Sequence, residues 1–446
     1  MNRLFGTDGV RGVANEFLTP ELAFALGRAG GHVLSARGAR RPVLVGRDTR
    51  CSGPMLEAAL SAGICSIGLD VIALGIAPTP AVAWLTRRLG AAAGVMISAS
   101  HNPIEDNGIK FFAADGCKLS DAIEDEIAAH VEDGGGLARP IGARVGSIED
   151  RRRAVSAYAQ HCATLGTDLT GVVVVIDGGH GAAYDLAPKV FARLGARVVK
   201  LHCTPNGKRI NVRCGSTDLS DVREAVLNHR GNIGVAFDGD ADRALFVDEH
   251  GSEVTGDHVL AMRARDLLQR GELPQRSVVA TVMSNIGLER ALDDLGIRLV
   301  RTPVGDRYVL EEMQKSGQRL GGEQSGHIID LQANTTGDGI ATAVAVASLA
   351  KRHGGLAGLA TIMRRHPQVL VNVTVADKAA AQTDATVRSA VDAVEHELGK
   401  EGRILVRPSG TEPLIRVMIE GQDEQRIQLL AQRVAEAIKN VAQRQA

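Results

Sequence analysis

The chain has 446 residues, which at about 150 residues per domain implies roughly three domains. Its 51 Lys and Arg balance 52 Asp and Glu to a net charge of −1, which excludes a basic nucleic-acid binder, and aromatics at 3% leave little material for base stacking. Hydrophobic residues at 44% exclude global disorder, and 51 glycines point to many tight turns and loops able to approach a phosphate.

In chain order, three stretches repeat one layout: an apolar run, a polar loop, a helix, a glycine turn and a second strand ending in Thr-Pro. The first begins at Pro42-Val43-Leu44-Val45-Gly46, passes Arg47-Asp48-Thr49-Arg50 and ends at Pro80. The second begins at Val172-Val173-Val174-Val175-Ile176, passes Asp177-Gly178-Gly179-His180-Gly181 and ends at Pro205. The third runs from Val278-Val279-Ala280-Thr281-Val282 through Met283-Ser284-Asn285 and a helix to Pro303. Short continuous apolar strands alternating with helices predict parallel sheets covered on both faces, hence three related α/β domains. The last eighty or so residues differ. Val369–Val375 reads as a strand, and Val387, Val391, Val394 and Leu398 mark a helix stopped by Gly399. Two strands then flank Pro408-Ser409-Gly410-Thr411, and Ile427, Leu430, Val434, Ile438 and Val441 line one face of a final helix. This is a small α+β domain. The expected boundaries are 1–150, 151–252, 253–366 and 367–446, with Gly134-Gly135-Gly136 and Arg151-Arg152-Arg153 near the first of them.

The six cysteines form no CxxC pair, and the opening residues carry no apolar signal-peptide core, so a cytoplasmic protein is expected. The best apolar run, residues 340–350, is too short to span a membrane. P-loop, dinucleotide, zinc-protease and GxSxG hydrolase motifs are all missing.

Four segments carry candidate chemistry. In Asp238-Gly239-Asp240-Ala241-Asp242-Arg243, three carboxylates at alternating positions between two apolar strands suit a hard divalent cation. A calcium EF-hand would place Glu249 at its twelfth position. Arg243 stands where that loop needs glycine, however, and the flanks read as strands; an acidic surface turn is the other reading. In Gly94-Val95-Met96-Ile97-Ser98-Ala99-Ser100-His101-Asn102-Pro103 a buried strand ends in a serine-rich loop, where α/β sheets place ligands. Ser98 or Ser100 could be a nucleophile and His101 a base, although adjacency to Ser100 demands special loop geometry; a plain strand-to-helix turn is equally compatible. Gly321-Gly322-Glu323-Gln324-Ser325-Gly326-His327 suits hydroxyl recognition. Arg407-Pro408-Ser409-Gly410-Thr411-Glu412-Pro413, with Arg416, offers hydroxyls, backbone N–H groups and two guanidiniums to a phosphate.

These four segments and the opening Phe5-Gly6-Thr7-Asp8-Gly9-Val10-Arg11-Gly12, in this order and nearly end to end, resemble the α-D-phosphohexomutases. The opening octapeptide, Val304-Gly305-Asp306-Arg307 and Gln324 resemble the branch acting on glucosamine phosphates; the alternatives are glucose or mannose phosphates, or a non-catalytic metal-dependent sugar-phosphate binder. The resemblance implies a mixed, largely parallel α/β fold around a central cleft. It also implies that Ser100 carries a phosphoryl group and that Asp238, Asp240 and Asp242 hold one Mg²⁺ with a phosphoserine oxygen. Glu323 and Ser325 would read sugar hydroxyls, while Arg407, Ser409, Gly410, Thr411 and Arg416 hold the phosphate not being transferred. Arg11, Arg243 and Lys110 are candidate charge partners, and Lys110, ahead of His101, is the candidate proton carrier. Glucosamine 1,6-bisphosphate is the implied intermediate, in a step toward UDP-N-acetylglucosamine and cell-wall precursors, by a monomer or homodimer binding neither nucleic acid nor membrane. Two residues depart from many relatives, Ser98 and Ala241; Ala241 is strained if its loop needs a positive φ.

Overall fold

Runs such as Val43–Arg47, Ala93–Ile97, Ile233–Phe237 and Ser277–Thr281 are apolar almost throughout and buried on both faces, so they form the middles of sheets. The computed structural model describes residues 3–6, 8–36, 41–375, 377–409 and 413–445. The chain divides into two units, Met1–Met283 with Ile297–Ile362, and Ser284–Gly296 with Met363–Ala446.

The first unit contains three sheets with one shared topology. In the first sheet, Val71–Ile76, Val43–Arg47, Ala93–Ile97 and Asp106–Ala113 are successive neighbours. In the second they are Arg197–Leu201, Val173–Asp177, Ile233–Phe237 and Ala244–Asp248; in the third, Arg298–Thr302, Ser277–Thr281, Leu320–Gly322 and Ile328–Asp330. Each time the first three strands are parallel and the fourth turns back antiparallel. The repeat expected from βαβ spacing therefore extends to a fourth strand. The connection between the third and fourth strands spans residues 98–105, 238–243 and 323–327. Those are the serine, triple-aspartate and Glu-Gln-Ser-Gly-His segments, so three of the four chemical motifs are the same loop in three copies.

The sheets are mixed as expected. Val10–Val13 adds an antiparallel edge to the first, and Ile148–Asp150 a parallel one. Helix starts follow local chemistry: Thr19 caps Pro20–Ser35 with Pro20 at its first position, and Asp338 caps Gly339–His353.

In the second unit Gln368–Thr374, Leu414–Glu420 and Arg403–Pro408 form an antiparallel sheet. Val387, Val394 and Leu398 from one helix and Ile427, Val434 and Ile438 from another share a core with Val373, Ile415 and Val417. The helix Ile286–Asp294, which lies in sequence between two strands of the third sheet, groups with this unit. The Ile286 N–H and the Asn285 amide both donate to buried Glu420, at 3.2 and 3.1 Å. No helix among the described residues is long and apolar enough to cross a membrane.

Candidate active site

The serine loop is tied down before any chemistry begins. Ser98, fully buried, donates to Asp48 Oδ2 at 2.6 Å and accepts the Ser100 N–H at 2.9 Å, so it supports the loop from below. Arg50, also fully buried, places all five of its N–H donors. Nε pairs with Asp48 at 3.0 Å, and the two terminal nitrogens reach the carbonyls of Ser100 (2.9 Å), Asn102 (2.8 Å), Asp106 (2.9 Å) and Pro103. From the second domain, the Asn211 amide also donates to the Ser100 carbonyl at 2.8 Å.

Clamped this way, Ser100 has φ +53°. The left-handed backbone answers the difficulty raised by adjacency: it brings Oγ within 3.2 Å of His101 Nδ1 while Oγ donates to Asp238 Oδ2 at 2.6 Å. The aspartate loop comes close to the serine loop, because a Cβ at Gly239 would stand 2.5 Å from the Ser100 carbonyl oxygen. Ala241 does have a positive φ, +58°, and is fully buried. No EF-hand forms: the flanking segments are strands, and Glu249 accepts the N–H groups of Leu356 and Ala357 instead.

Asp238, Asp240 and Asp242 are all buried, and each offers a carboxylate oxygen within 4.8 Å of the others. Among the described residues Asp240 Oδ1 has no hydrogen-bond partner, and Asp242 Oδ1 has only the longer ion-pair contacts of His327 at 3.6 Å and Arg243 at 3.9 Å. Buried carboxylate oxygens so weakly satisfied, beside a third carboxylate, are what a bound cation would complete, so these residues fit a divalent metal. Burial, then the charges of Asp242 and Asp240, hold the Asp238 carboxyl well above its ordinary range. For Asp242, burial pushes upward but Lys110, His327 and Arg243 outweigh it, and the group lies well below that range. A second trio, Asp177, His202 and Cys214, also converges within 4.8 Å. There both aspartate oxygens are already taken, Oδ1 by the Gly179 N–H and Oδ2 by the Gly215 N–H and His202, so nothing is left orphaned.

Cations gather around the aspartates. Lys110 Nζ lies 2.8 Å from Asp240, 3.0 Å from Asp8 and 3.6 Å from Asp242. Burial would lower its pKa, but those three carboxylates raise it overall. Lys110 thus sits as a cation among these carboxylates. His101 is depressed to about 4 by burial and by Arg243 and Arg11, and stands as a neutral imidazole beside Ser100. Arg11 pairs with Asp8 and donates to the Ala99 carbonyl at 3.4 Å, while Arg243 lies 3.9 Å from Asp242.

The third loop joins the second directly, the Ala244 N–H donating to the Gly326 carbonyl at 3.1 Å. Ser325 donates to Glu323 at 3.3 Å, and a Cβ at Gly256 would stand 2.1 Å from the Glu323 carbonyl oxygen, so only glycine admits the loop there. Ser100, His101, Lys110, Arg11, Arg243, the three aspartates, Glu323 and Ser325 thus all belong to the first unit. Arg407, Ser409 and Arg416 belong to the second, where Arg407 and Arg416 face each other across the ladder. Burial, then the Arg416 charge, lowers the Arg407 pKa. Gly410 and Thr411 lie outside the described residues.

Sequence reasoning gave no role to Asp8, Asp48, Arg50, Asn211 or His327. His327 is buried 3.6 Å from Asp242 and 3.3 Å from Asp306, whose charges raise its pKa against the effect of burial. The one available signal was the charged Arg47-Asp48-Thr49-Arg50 run directly after an apolar strand.

Four profiles described as phosphoglucomutase/phosphomannomutase domains match in order: alpha/beta/alpha domain I over residues 2–135, domain II over 156–251, domain III over 255–369 and the C-terminal domain over 370–437. With the thrice-repeated scaffold and the serine–aspartate site, they define the class: a phosphohexomutase, which is an isomerase. The phosphoglucosamine mutase of Moorella thermoacetica is 54% identical over 446 residues, covering 98% of this chain and 100% of the relative. That of Symbiobacterium thermophilum is 54% identical over 447 residues, covering 99% and 100%. A phosphoglucomutase/phosphomannomutase family protein from Burkholderia thailandensis superposes with a TM-score of 0.83 at 23% identity, covering 99% of this chain and 98% of that one, a likeness of fold. The chain belongs to the phosphoglucomutase/phosphomannomutase family.

Proposed function

We propose that the protein is a phosphoglucosamine mutase, interconverting glucosamine 6-phosphate and glucosamine 1-phosphate in a step toward UDP-N-acetylglucosamine and cell-wall precursors. Full-length identity of about half to relatives of that name supports the substrate. The observation that carries the chemistry is the Ser100 hydroxyl, 2.6 Å from one carboxylate of a buried trio in which two oxygens have no hydrogen bond among the described residues.

In this reading Ser100 is the phosphoryl carrier, and Asp238, Asp240 and Asp242 hold Mg²⁺ with a phosphoserine oxygen. The bound Mg²⁺ would neutralise charge on the transferring phosphoryl oxygens. A phosphoserine adds up to about −2, so the loaded site keeps a net charge of about −3. Lys110, Arg243 and Arg11 offset part of that excess, with Asp8, which pairs with both Arg11 and Lys110, taking up one of the three positive charges. Phosphoryl transfer asks mainly for positioning and charge neutralisation, which the Arg50 clamp and these cations supply. As the bond between phosphorus and Ser100 Oγ breaks, one to a sugar hydroxyl oxygen forms, and the hydroxyl proton passes to the serine oxygen. Lys110, or His101 at 3.2 Å from Oγ, would relay it. The 1,6-bisphosphate then turns over, and Ser100 takes back the other phosphoryl. Glu323 and Ser325 read the sugar hydroxyls, while Arg407, Ser409 and Arg416, with Gly410 and Thr411, grip the phosphate that stays.

Peptide mapping of the isolated protein tests the assignment. Phosphate is expected on Ser100 alone, with Ser100→Ala abolishing turnover and Ser98→Ala reducing it through a loosened loop. Phosphate on Ser98 would overturn the reading. Chelation should stop turnover and Mg²⁺ restore it, with Ca²⁺ a poor substitute because it tolerates looser coordination.

A further inference from the structure

Within the first unit, apart from the serine–aspartate site, lies a cavity of about 420 Å³, inside the range of small-molecule pockets. It opens at the carboxyl ends of parallel strands of the first sheet, where open α/β sheets bind ligands. Arg47 ends Val43–Arg47, residues 74–76 end Val71–Ile76, and Arg152 and Arg153 follow Ile148–Asp150 directly. The Arg151-Arg152-Arg153 run, read from sequence only as a boundary, thus becomes part of a cavity wall.

The lining is of two kinds. Four cations face in, Arg47, Arg152, Arg153 and Lys189, against one carboxylate, Asp185. Three of the cations have carboxylate partners: Arg47 with Glu57 at 2.8 Å, Arg152 with Asp150 at 3.1 Å, and Lys189 with Asp185 at 2.5 Å. The Arg153 guanidinium has none among the described residues, leaving one uncompensated positive charge. The rest of the wall is apolar, with Leu74, Ile76 and Leu186 beside the ring of Tyr184. A free sugar phosphate would bury its hydroxyls against that wall unpaired. A phosphate group joined to a flat, weakly polar ring satisfies both halves.

We propose that this cavity is a second ligand site, for a nucleoside diphosphate or similar nucleotide. The diphosphate sits on Arg152, Arg153 and Lys189, and the base packs against Tyr184 and the aliphatic wall. The site also touches the catalytic scaffold, because Arg47 donates to the Asp48 carbonyl at 3.2 Å and Asp48 carries the Arg50 clamp.

Calorimetric titration of the full-length protein with ADP tests the proposal. One saturable site is expected, with an affinity unchanged by saturating glucosamine 6-phosphate. Inorganic pyrophosphate, which lacks the ring, should bind at least about tenfold more weakly. The double variant Arg152→Glu/Arg153→Glu, both exposed and outside the catalytic machinery, should weaken ADP binding about 100-fold while folding and mutase turnover stay as in the parent. No saturable ADP binding would overturn the proposal. So would displacement of ADP by glucosamine 6-phosphate, or equal ADP binding by the double variant, since either would put ADP elsewhere.

Discussion

Replacing Arg50 by lysine keeps the charge and removes the fork. Arg50 serves five acceptors with five N–H groups, whereas an ammonium has three donors on one atom. At least two acceptors are therefore abandoned. The Ser100 and Asn102 carbonyls keep the Asn211 amide, at 2.8 and 3.4 Å, and the Pro103 carbonyl keeps the Asp106 N–H at 3.3 Å, so the group left unsatisfied is the Asp106 carbonyl. At about 1–3 kcal/mol for a buried group left unsatisfied, Arg50→Lys should cost about 1–3 kcal/mol of stability. Because the carbonyls that lose the fork belong to the serine loop or adjoin it, the damage concentrates at Ser100. A misplacement of about 1 Å is worth roughly 100-fold in rate, so turnover should fall by about that factor. The assay combines a urea melt with mutase turnover and the rate at which Ser100 accepts phosphate from added glucosamine 1,6-bisphosphate. Asn211→Ala, which leaves Arg50 in place, is the milder companion should the lysine variant fold poorly. A stable Arg50→Lys variant with turnover within a few-fold of the parent would refute the reasoning, since the clamp would then be dispensable.

Ala241→Gly relieves about 1–2 kcal/mol of left-handed strain but gives up a fully buried methyl worth about 0.8 kcal/mol and adds a roughly 0.5–1 kcal/mol entropic cost, so a thermal melt should show little net change; a large loss of stability would mean the left-handed backbone carries no strain. The hydrogen bond to Asp177, opposed by burial, raises the His202 pKa above its ordinary 6.5. The stability this pair contributes is thus fully present below about pH 6.5 and lost as pH rises through the raised value. Urea melts should show His202→Ala costing about 1.5–3 kcal/mol near pH 6 and little near pH 9, and a pH-independent cost would contradict this. Arg416→Ala removes one of two opposed guanidiniums, so KM should rise about tenfold and bisphosphate should leak into solution; an unchanged KM with no leaked bisphosphate would give Arg416 a purely structural role.

Much of the scaffold was legible because central strands buried on both faces must be apolar almost throughout, as Val43–Arg47 and Val173–Asp177 are. The shared topology was only half legible. The connections 98–105, 238–243 and 323–327 differ in length, and the third sheet's last strands, Leu320–Gly322 and Ile328–Asp330, are too short to show a period. That is why three motifs read separately prove to be one loop in three places. The convergence of the three aspartates was legible, since carboxylates at alternating positions of a short loop between buried strands lie close together. Arg50 did not, because four of its acceptors are main-chain carbonyls, which leave no trace in side-chain pattern. The Ser100–His101 contact was not legible either, because it forms on a left-handed backbone at Ser100 that no local pattern announces. Ile286–Asp294 is tied to the C-terminal unit by Glu420, His366 and Lys400, all far along the chain, which no local signal could reveal.

The central claim, a mutase selective for glucosamine phosphate, is tested most directly by ³¹P NMR of the purified protein. Glucosamine, glucose and mannose 6-phosphates would be supplied in parallel, with Mg²⁺ and a trace of the matching 1,6-bisphosphate. Approach to equilibrium with glucosamine 1-phosphate should be at least about tenfold faster in kcat/KM than either other conversion. Equal or faster conversion of glucose or mannose 6-phosphate, or no 1-phosphate from any of the three, would contradict the account.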